Sequence, residues 1–299
     1  MKKKRWIAVL LVIAVAVSTF VIYNILNPTA LGLMRRMARN MEKIQSVKST
    51  VVMDYDGEVA TGLGNLAIGL DADFDLESVT STGVSHMDGT IRGSLFGLSL
   101  DMPVESYVET DGETLVTYTS ASGQQWIKST SKTGENAQSF KPDEKTILGL
   151  LQKIKDKEIT AELAKETEKI GDKEVYRIDI KAKGDLIGEL IRMAAASGEQ
   201  TETAKALQNA DFSGADTNLV LYLYKDSKLP ARAQVDCTAL GSILIREQLK
   251  EKGIDVRTER FMITVDFTEY NTIESLEIPA EVKSTAIEGE VDLIDEMMP

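Results

Sequence analysis

The sequence predicts an α+β fold, an antiparallel sheet with helices set between its strands, preceded by one transmembrane helix. Three observations lead there. Residues 6–26 form an uncharged apolar run behind four consecutive cations. From Ser49 onward apolar residues recur with period two, in short segments joined by turn residues, which marks hairpin-linked strands rather than βαβ units. Between groups of these segments lie stretches whose apolar residues recur at helical spacing.

The first segment determines where the protein works. Its 21 residues, at about 1.5 Å of rise each, match the roughly 30 Å hydrocarbon core of a bilayer. Lys2, Lys3, Lys4 and Arg5 precede it and no cation follows until Arg35, so the amino end is expected in the cytoplasm and the bulk of the chain outside the membrane. Residues 1–27 are thus read as basic flank and anchor, 28–287 as an extracytoplasmic domain, and 288–299 as a loose acidic tail. A cleaved signal peptide is the competing reading, with Ala14-Val15-Ala16 as its site, although the apolar run continues ten residues beyond. Acylation at a processed amino-terminal cysteine is excluded, because the only cysteine is Cys237.

After Asn27-Pro28, Leu31, Met34, Ala38 and Met41 share a stripe, with Leu33, Met37 and Ile44 beside it and Arg35, Arg36, Arg39 and Lys43 opposite: an amphipathic helix. Leu66, Ile68, Leu70, Ala72 and Phe74 then alternate with polar residues as a half-buried strand. Further strands are expected over 84–93, 95–100, 104–110 and 115–119, the last two joined at Asp111-Gly112. Residues 130–140 read as a loop, and Pro142-Asp143 opens a helix through Ile147, Leu150, Leu151 and Ile154. A hairpin over 161–181 turns at Gly171-Asp172, a helix covers 185–196, and 197–216 is polar. Strands resume over 218–224 and 230–237, a helix covers 239–252 up to Gly253, and the last strand carries Phe261, Ile263, Val265 and Phe267.

Composition narrows the function classes. The net charge of −13 becomes −17 without the four anchor-flanking cations, which excludes nucleic acid as a partner of the ectodomain. A single cysteine excludes an intramolecular disulfide, and Cys237 ends the alternation Ala233, Val235, Cys237, as a buried thiol would. His86 is the only histidine and sits in a strand, which leaves little material for metal sites or general-base chemistry. Asp71, Asp73 and Asp75 begin like a calcium loop, but Leu76 and Thr82 occupy the places of its glycine and glutamate. Pairs such as Glu105 and Glu109, or Asp266 and Glu269, are two among 47 acids. No catalytic, metal-ligating or cofactor-binding residue is assigned, and a non-enzymatic role is expected.

Three short segments carry a family resemblance: Gln125-Trp126-Ile127-Lys128, Phe267-Thr268-Glu269-Tyr270-Asn271, and Ile278-Pro279-Ala280-Glu281-Val282. With the leading helix and the many antiparallel strands, the sequence resembles the LolA/LppX-like group of bacterial extracytoplasmic proteins, including uncharacterised Gram-positive lipoproteins. The resemblance implies an incomplete, strongly curved antiparallel barrel wrapped around helices, with an apolar cavity between them. Characterised members carry lipids or lipoproteins. The Gram-positive relatives usually carry a lipobox cysteine, which this chain replaces with its apolar run; a protein so held would handle its ligand close to the membrane.

Two functions follow as expectations. In the first, an apolar or lipid-like ligand lies against Leu66, Ile68, Leu70, Leu219, Leu221, Leu223, Ile263 and Val265, whose alternative role is to pack against the helices. In the second, the anchored domain presents its sheet to an envelope protein or wall polymer, as an interaction or sensory module.

Overall fold

The computed structural model describes residues 28–61, 64–95, 98–111, 114–123, 125–132, 159–196, 210–249 and 255–289. The expected membrane span, the helix opened by Pro142 and most of the acidic tail lie outside these residues. Among the described residues no helix is long and apolar enough to cross a membrane.

Among the described residues thirteen strands form one open sheet: β1 (Ser46–Thr61), β2 (Gly64–Val79), β3 (Val84–Leu95), β4 (Leu98–Asp111), β5 (Thr114–Ala121), β6 (Ile127–Lys132), β7 (Ile159–Leu163), β8 (Glu168–Ile170), β9 (Lys173–Ala182), β10 (Thr217–Tyr224), β11 (Pro230–Asp236), β12 (Asp255–Tyr270) and β13 (Ile287–Glu288). Their order is β13-β6-β5-β4-β3-β2-β1-β12-β11-β10-β9-β7, with β8 paired to β9 alone. The chain runs as a meander from β1 to β6. It then builds a second antiparallel group whose last strand, β12, returns to pair along β1. Only β13 lies parallel to its neighbour, β6. Helices α1 (Pro28–Met41), α2 (Gly184–Ala196) and α3 (Thr238–Leu249) contribute to the core, and the short α4 (Ala280–Thr285) follows β12.

Period-two alternation becomes a core because the register lines up apolar positions across strands. One row reads Ala161, Ile180, Leu219, Val235, Ile263, Met53, Ala72, Ile91, Met102, each opposite the next on the neighbouring strand. All nine are buried. The adjacent row reads Ile178, Leu221, Ala233, Val265, Val51, Phe74, Gly89, Val104, Ala121. Its one glycine is there for space: a Cβ on Gly89 would lie 2.6 Å from Phe74 Cδ1 and 2.0 Å from the Asp73 carbonyl oxygen. Bulges between Lys48 and Ser49 and between Asp56 and Gly57 interrupt the β1–β12 ladder, and bulges bend the strands that carry them.

The helices cover this inner face. Helix α1 buries Ala30, Met34 and Met37, leaves Arg36 and Arg39 exposed, and packs on β7. Helix α2 buries Leu186 and Ile187; its Gly188 permits close approach, since a Cβ there would lie 2.6 Å from the Phe212 ring. Helix α3 buries Leu240, Ile243 and Leu244 and packs on β12.

The opposite face of β3–β5 carries a second apolar cluster of Val84, Tyr107, Val116, Tyr118, Ile278 and Val282, with Trp126 and Leu276 beside it. A C-terminal strap delivers Ile278 and Val282. It departs from β12 at Asn271, which adopts a left-handed φ of 59°, donates its N–H to the Ser46 carbonyl at 2.8 Å and accepts the Gln45 N–H at 2.7 Å. Lys283 then bonds Glu109 at 2.6 Å, and the Ile287 N–H donates to the Trp126 carbonyl at 3.0 Å. All three segments that carry the family resemblance contribute to this strap and its seat.

The sequence expectations differ from the structure at a few places. Residues 95–100 and 104–110 do not form two strands; β4 is continuous through Pro103. The expected loop over 130–140 begins with strand, because β6 pairs along β5. The tail begins with β13, which the main-chain groups of Trp126 and Lys128 hold in place. The strands and helices expected over 66–75, 84–93, 115–119, 185–196, 218–224 and 261–267 all lie within observed elements.

Candidate functional site

The inner face is sealed at one end and opens at the other. At the sealed end Leu219, Leu221, Leu223, Ile263 and Val265 are at most 5 % exposed. They belong to the same packed cluster as Leu186, Ile187, Phe212, Leu240 and Leu244, so α2, α3 and the Phe212 segment fill the space in front of them. These five of the eight expected ligand-lining residues are brought together as core.

The other three sit on a projecting part of the sheet. Pairing of β11 with β12 stops at Met262. There the chain turns into α3: the Cys237 N–H donates to the Phe261 carbonyl at 2.8 Å, and the Phe261 ring lies 2.7 Å from where a Gly241 Cβ would be. Beyond that point β12 pairs with β1 alone, and β1, β2, β3 and β4 run on together. The next inner row, Phe261, Tyr55, Leu70, Gly93, Leu100, is buried at Phe261 and Tyr55 and half-buried at Leu70 and Leu100. Phe261 and Tyr55 meet edge to face, with ring centroids 5.8 Å apart. Burial raises the Tyr55 pKa, and its hydroxyl lies 3.5 Å from Thr258 Oγ1. Farther out, Ile68 is half-buried and Leu66 is 38 % exposed opposite Val59. Leu66, Ile68 and Leu70 share one face of β2 at intervals of two, a strip of about 14 Å. Tyr55, Val59 and Leu100 belong to the surroundings, and Thr258 and Val256, which pair with Gly57 and Val59, are buried beside them. Sequence reading did not single them out, although Val51, Met53, Tyr55, Gly57 and Val59 continue one alternation.

The remaining candidate chemistry is accounted for by packing and pairing. His86 stacks on Tyr107 at 4.4 Å, and its Nε2 lies 3.1 Å from Glu105 Oε1, which also accepts the Tyr107 hydroxyl at 3.0 Å. Burial, then the Glu105 hydrogen bond, pushes the Tyr107 pKa up to about 12. This group lies under the strap, on the face away from the core. Asp71, Asp73 and Asp75 point outward and are exposed, and Asp75 accepts the Thr50 hydroxyl at 3.0 Å. Asp266 is bound by Arg232 through two contacts of 2.5 and 3.0 Å. Cys237 is buried, and burial, with a smaller effect of Asp236, pushes its thiol up to about 12. A thiol held protonated this firmly is a packing group rather than a nucleophile. Among the described residues no three His, Cys, Asp or Glu are grouped to hold a metal ion.

Solved structures similar to this chain include the lipoprotein LppX of Mycobacterium tuberculosis, at 12 % identity and a TM-score of 0.40, covering 84 % of this chain and 100 % of that one. A β-barrel-like DUF1849 protein from Brucella abortus matches at 9 % identity and a TM-score of 0.25, covering 76 % and 98 % respectively. A putative outer membrane lipoprotein-sorting protein domain from Vibrio parahaemolyticus matches at 8 % identity and a TM-score of 0.21, covering 84 % and 95 %. LppX and the lipoprotein-sorting domain fall in the LolA/LppX-like group that the sequence resembles. No curated protein matches the chain. The family model that does match covers residues 29–287, and the chain belongs to that family, the family of unknown function DUF6612.

Proposed function

We propose that the protein is a non-enzymatic, membrane-anchored binding module of the cell envelope that holds an acyl chain at the open end of its inner face. The carrying observation is the run of Leu70, Ile68 and Leu66 beyond the last sealed layer, with exposure rising to 38 % at Leu66. Here the inner face extends past the end of β11 with its apolar alternation intact. Each methylene buried there contributes about 0.8 kcal/mol, so an acyl chain gains affinity without polar recognition. The sealed leucines serve to hold the sheet around its helices, and the contacts with a guest fall to Leu66, Ile68, Leu70 and their neighbours. Anchorage by residues 6–26 keeps the domain beside a bilayer that supplies such chains.

The test is a titration of the full-length chain, reconstituted in nanodiscs, with a fluorescent short-chain fatty acid. Saturable binding above that of empty nanodiscs is expected, and its loss in the triple variant Leu66→Gln/Ile68→Gln/Leu70→Gln. Equal binding by variant and parent, or none above empty nanodiscs, would overturn the proposal.

A further inference from the structure

A second site lies where α1 meets the β10–β11 turn, and its chemistry is the opposite of the apolar mouth. A cleft of about 400 Å³ is lined by Arg36, Arg39, Asn40, Lys43, Asp226 and Lys228. Four of those six residues are cations and one is an acid, in a chain whose net charge is −13.

The cleft is built by fixed contacts between distant segments. Asn40 Nδ2 donates to the Ser227 carbonyl at 2.7 Å, tying the end of α1 to the turn. Lys228 adopts a left-handed φ of 58°, its N–H donates to the Tyr224 carbonyl at 2.9 Å, and its ammonium donates to the Lys225 carbonyl and sits 5.1 Å over the Tyr176 ring. Asp226 is turned to local use: its carboxylate accepts the Ser227 N–H at 2.6 Å, and that bond holds its pKa below the usual carboxylate range. Because α1 buries Ala30, Met34 and Met37, Arg36 and Arg39 are left on its exposed side. Among the described residues, Arg36, Arg39 and Lys43 make no ion pair.

We infer that this cleft binds the phosphate headgroup of an anionic phospholipid in the membrane from which α1 emerges. The inference rests on the anchor reading proposed above and adds a headgroup site to it. Arg36 lies eight residues along α1 from Pro28, about 12 Å along an upright helix. The headgroup layer extends about 5–7 Å beyond the hydrocarbon, and surface charge reaches about 8 Å farther at physiological salt. Arg36 is therefore within reach of the headgroup zone even for an upright helix, and a tilt brings Arg39 and Lys43 closer. Guanidinium groups match phosphate oxygens in paired geometry, while Lys43 and Lys228 act as point charges. The acidic remainder of the domain turns away from the same surface by repulsion, so the cleft also sets the orientation of the domain on the bilayer.

The test uses the full chain in neutral phosphatidylcholine nanodiscs doped with photoactivatable phosphatidylglycerol. Cross-links are expected on residues 36–43 and 225–228. Each cation near an anionic surface is worth about fivefold in binding, so Arg36→Gln/Arg39→Gln/Lys228→Gln should lower the yield at least tenfold while leaving the thermal transition in place. Cross-links scattered over the domain, or an unchanged yield in the variant, would overturn the site. Loss of all cross-linking in excess inorganic phosphate would make free phosphate the ligand and overturn the lipid assignment. Insertion into undoped nanodiscs reads the anchor separately. If the chain stays soluble, parent and variant are compared by flotation with phosphatidylglycerol vesicles, where equal flotation overturns the cleft.

Discussion

The two halves of the sheet use the same alternation for different ends. In the C-terminal half β9, β10 and β11 are 10, 8 and 7 residues long, and helices close over their whole inner face. In the N-terminal half β1 and β2 each run for 16 residues and outreach that cover, so the same leucine-and-isoleucine pattern passes from sealed to open along one strand. Alternation selects a face; the length of the neighbouring strand decides whether a side chain on that face becomes core or surface. Equal volumes deleted from the two halves should therefore cost unequal amounts of stability. Leu221, 0 % exposed and flanked by Ile178 and Ala233, should lose about 2–5 kcal/mol as Leu221→Ala. Leu66→Ala should lose less than about 0.5 kcal/mol, as exposed positions do. Chemical denaturation of both variants at one pH measures the contrast, and equal losses would show that the two ends are packed alike.

The strap tests whether the N-terminal half needs support from its other face. Ile278 and Val282 are its two buried apolar anchors, set against Tyr107, Tyr118, Val84 and Val116. Ile278→Ala should lower stability by about 2 kcal/mol, the low end for a buried isoleucine in a small cluster. It should also speed amide exchange at β6 and β13 while leaving β9–β11 protected. Uniform loss of protection across both halves would mean that the sheet opens only as a unit.

Alkaline titration sharpens the same contrast, because each half carries a buried acid with a raised pKa. Cys237 in the C-terminal half rises from 9.0 to about 12, and Tyr107 under the strap from 10.0 to about 12, each chiefly through burial. A raised folded pKa means that the native state holds its proton longer than the unfolded chain. Stability from these groups is therefore complete below pH 9 and 10 respectively and is lost as pH climbs toward 12. One proton contributes a slope of about 1.4 kcal/mol per pH unit. Urea unfolding between pH 8 and 11 should show stability falling from pH 9, and Cys237→Ala should delay the fall to about pH 10. A variant curve parallel to the parent's from pH 9 would remove Cys237 from this account.

Much of this architecture was legible in the residues, and the exceptions have physical causes. The alternation at 66–75 and at 261–267 identified β2 and β12, because Ala72 and Phe74 on one and Phe261, Ile263 and Val265 on the other are buried while the residues between them are exposed or half-buried. Helix α4 and strand β13 are six and two residues long, too short for a period to declare itself. They exist because Val282 enters a cluster and Ile287 bonds the Trp126 carbonyl, contacts made 150 residues or more away in sequence. The eight expected lining residues share the inner face, but depth along a strand depends on where β11 ends, which alternation does not encode. The basic side of α1 was visible as Arg36, Arg39 and Lys43; its partner Lys228 joins only through the fold.

The smallest expected effect on stability is also the one that separates ligand mouth from core. Leu66→Ser and Ile68→Ser replace side chains that are exposed and half-buried, so the thermal transition of the double variant should move by no more than a degree or two. Removing two apolar contacts of this size from a bound acyl chain should nevertheless cost about 1.5–3 kcal/mol of binding, a ten- to hundredfold rise in the dissociation constant measured with the fluorescent fatty acid. Leu221→Ala should do the reverse, losing stability while a folded fraction at low temperature binds the probe as the parent does. If Leu221→Ala instead abolished binding in protein shown to be folded, the guest would lie deep among the sealed leucines. The cover of α2 and α3 would then have to open to admit it.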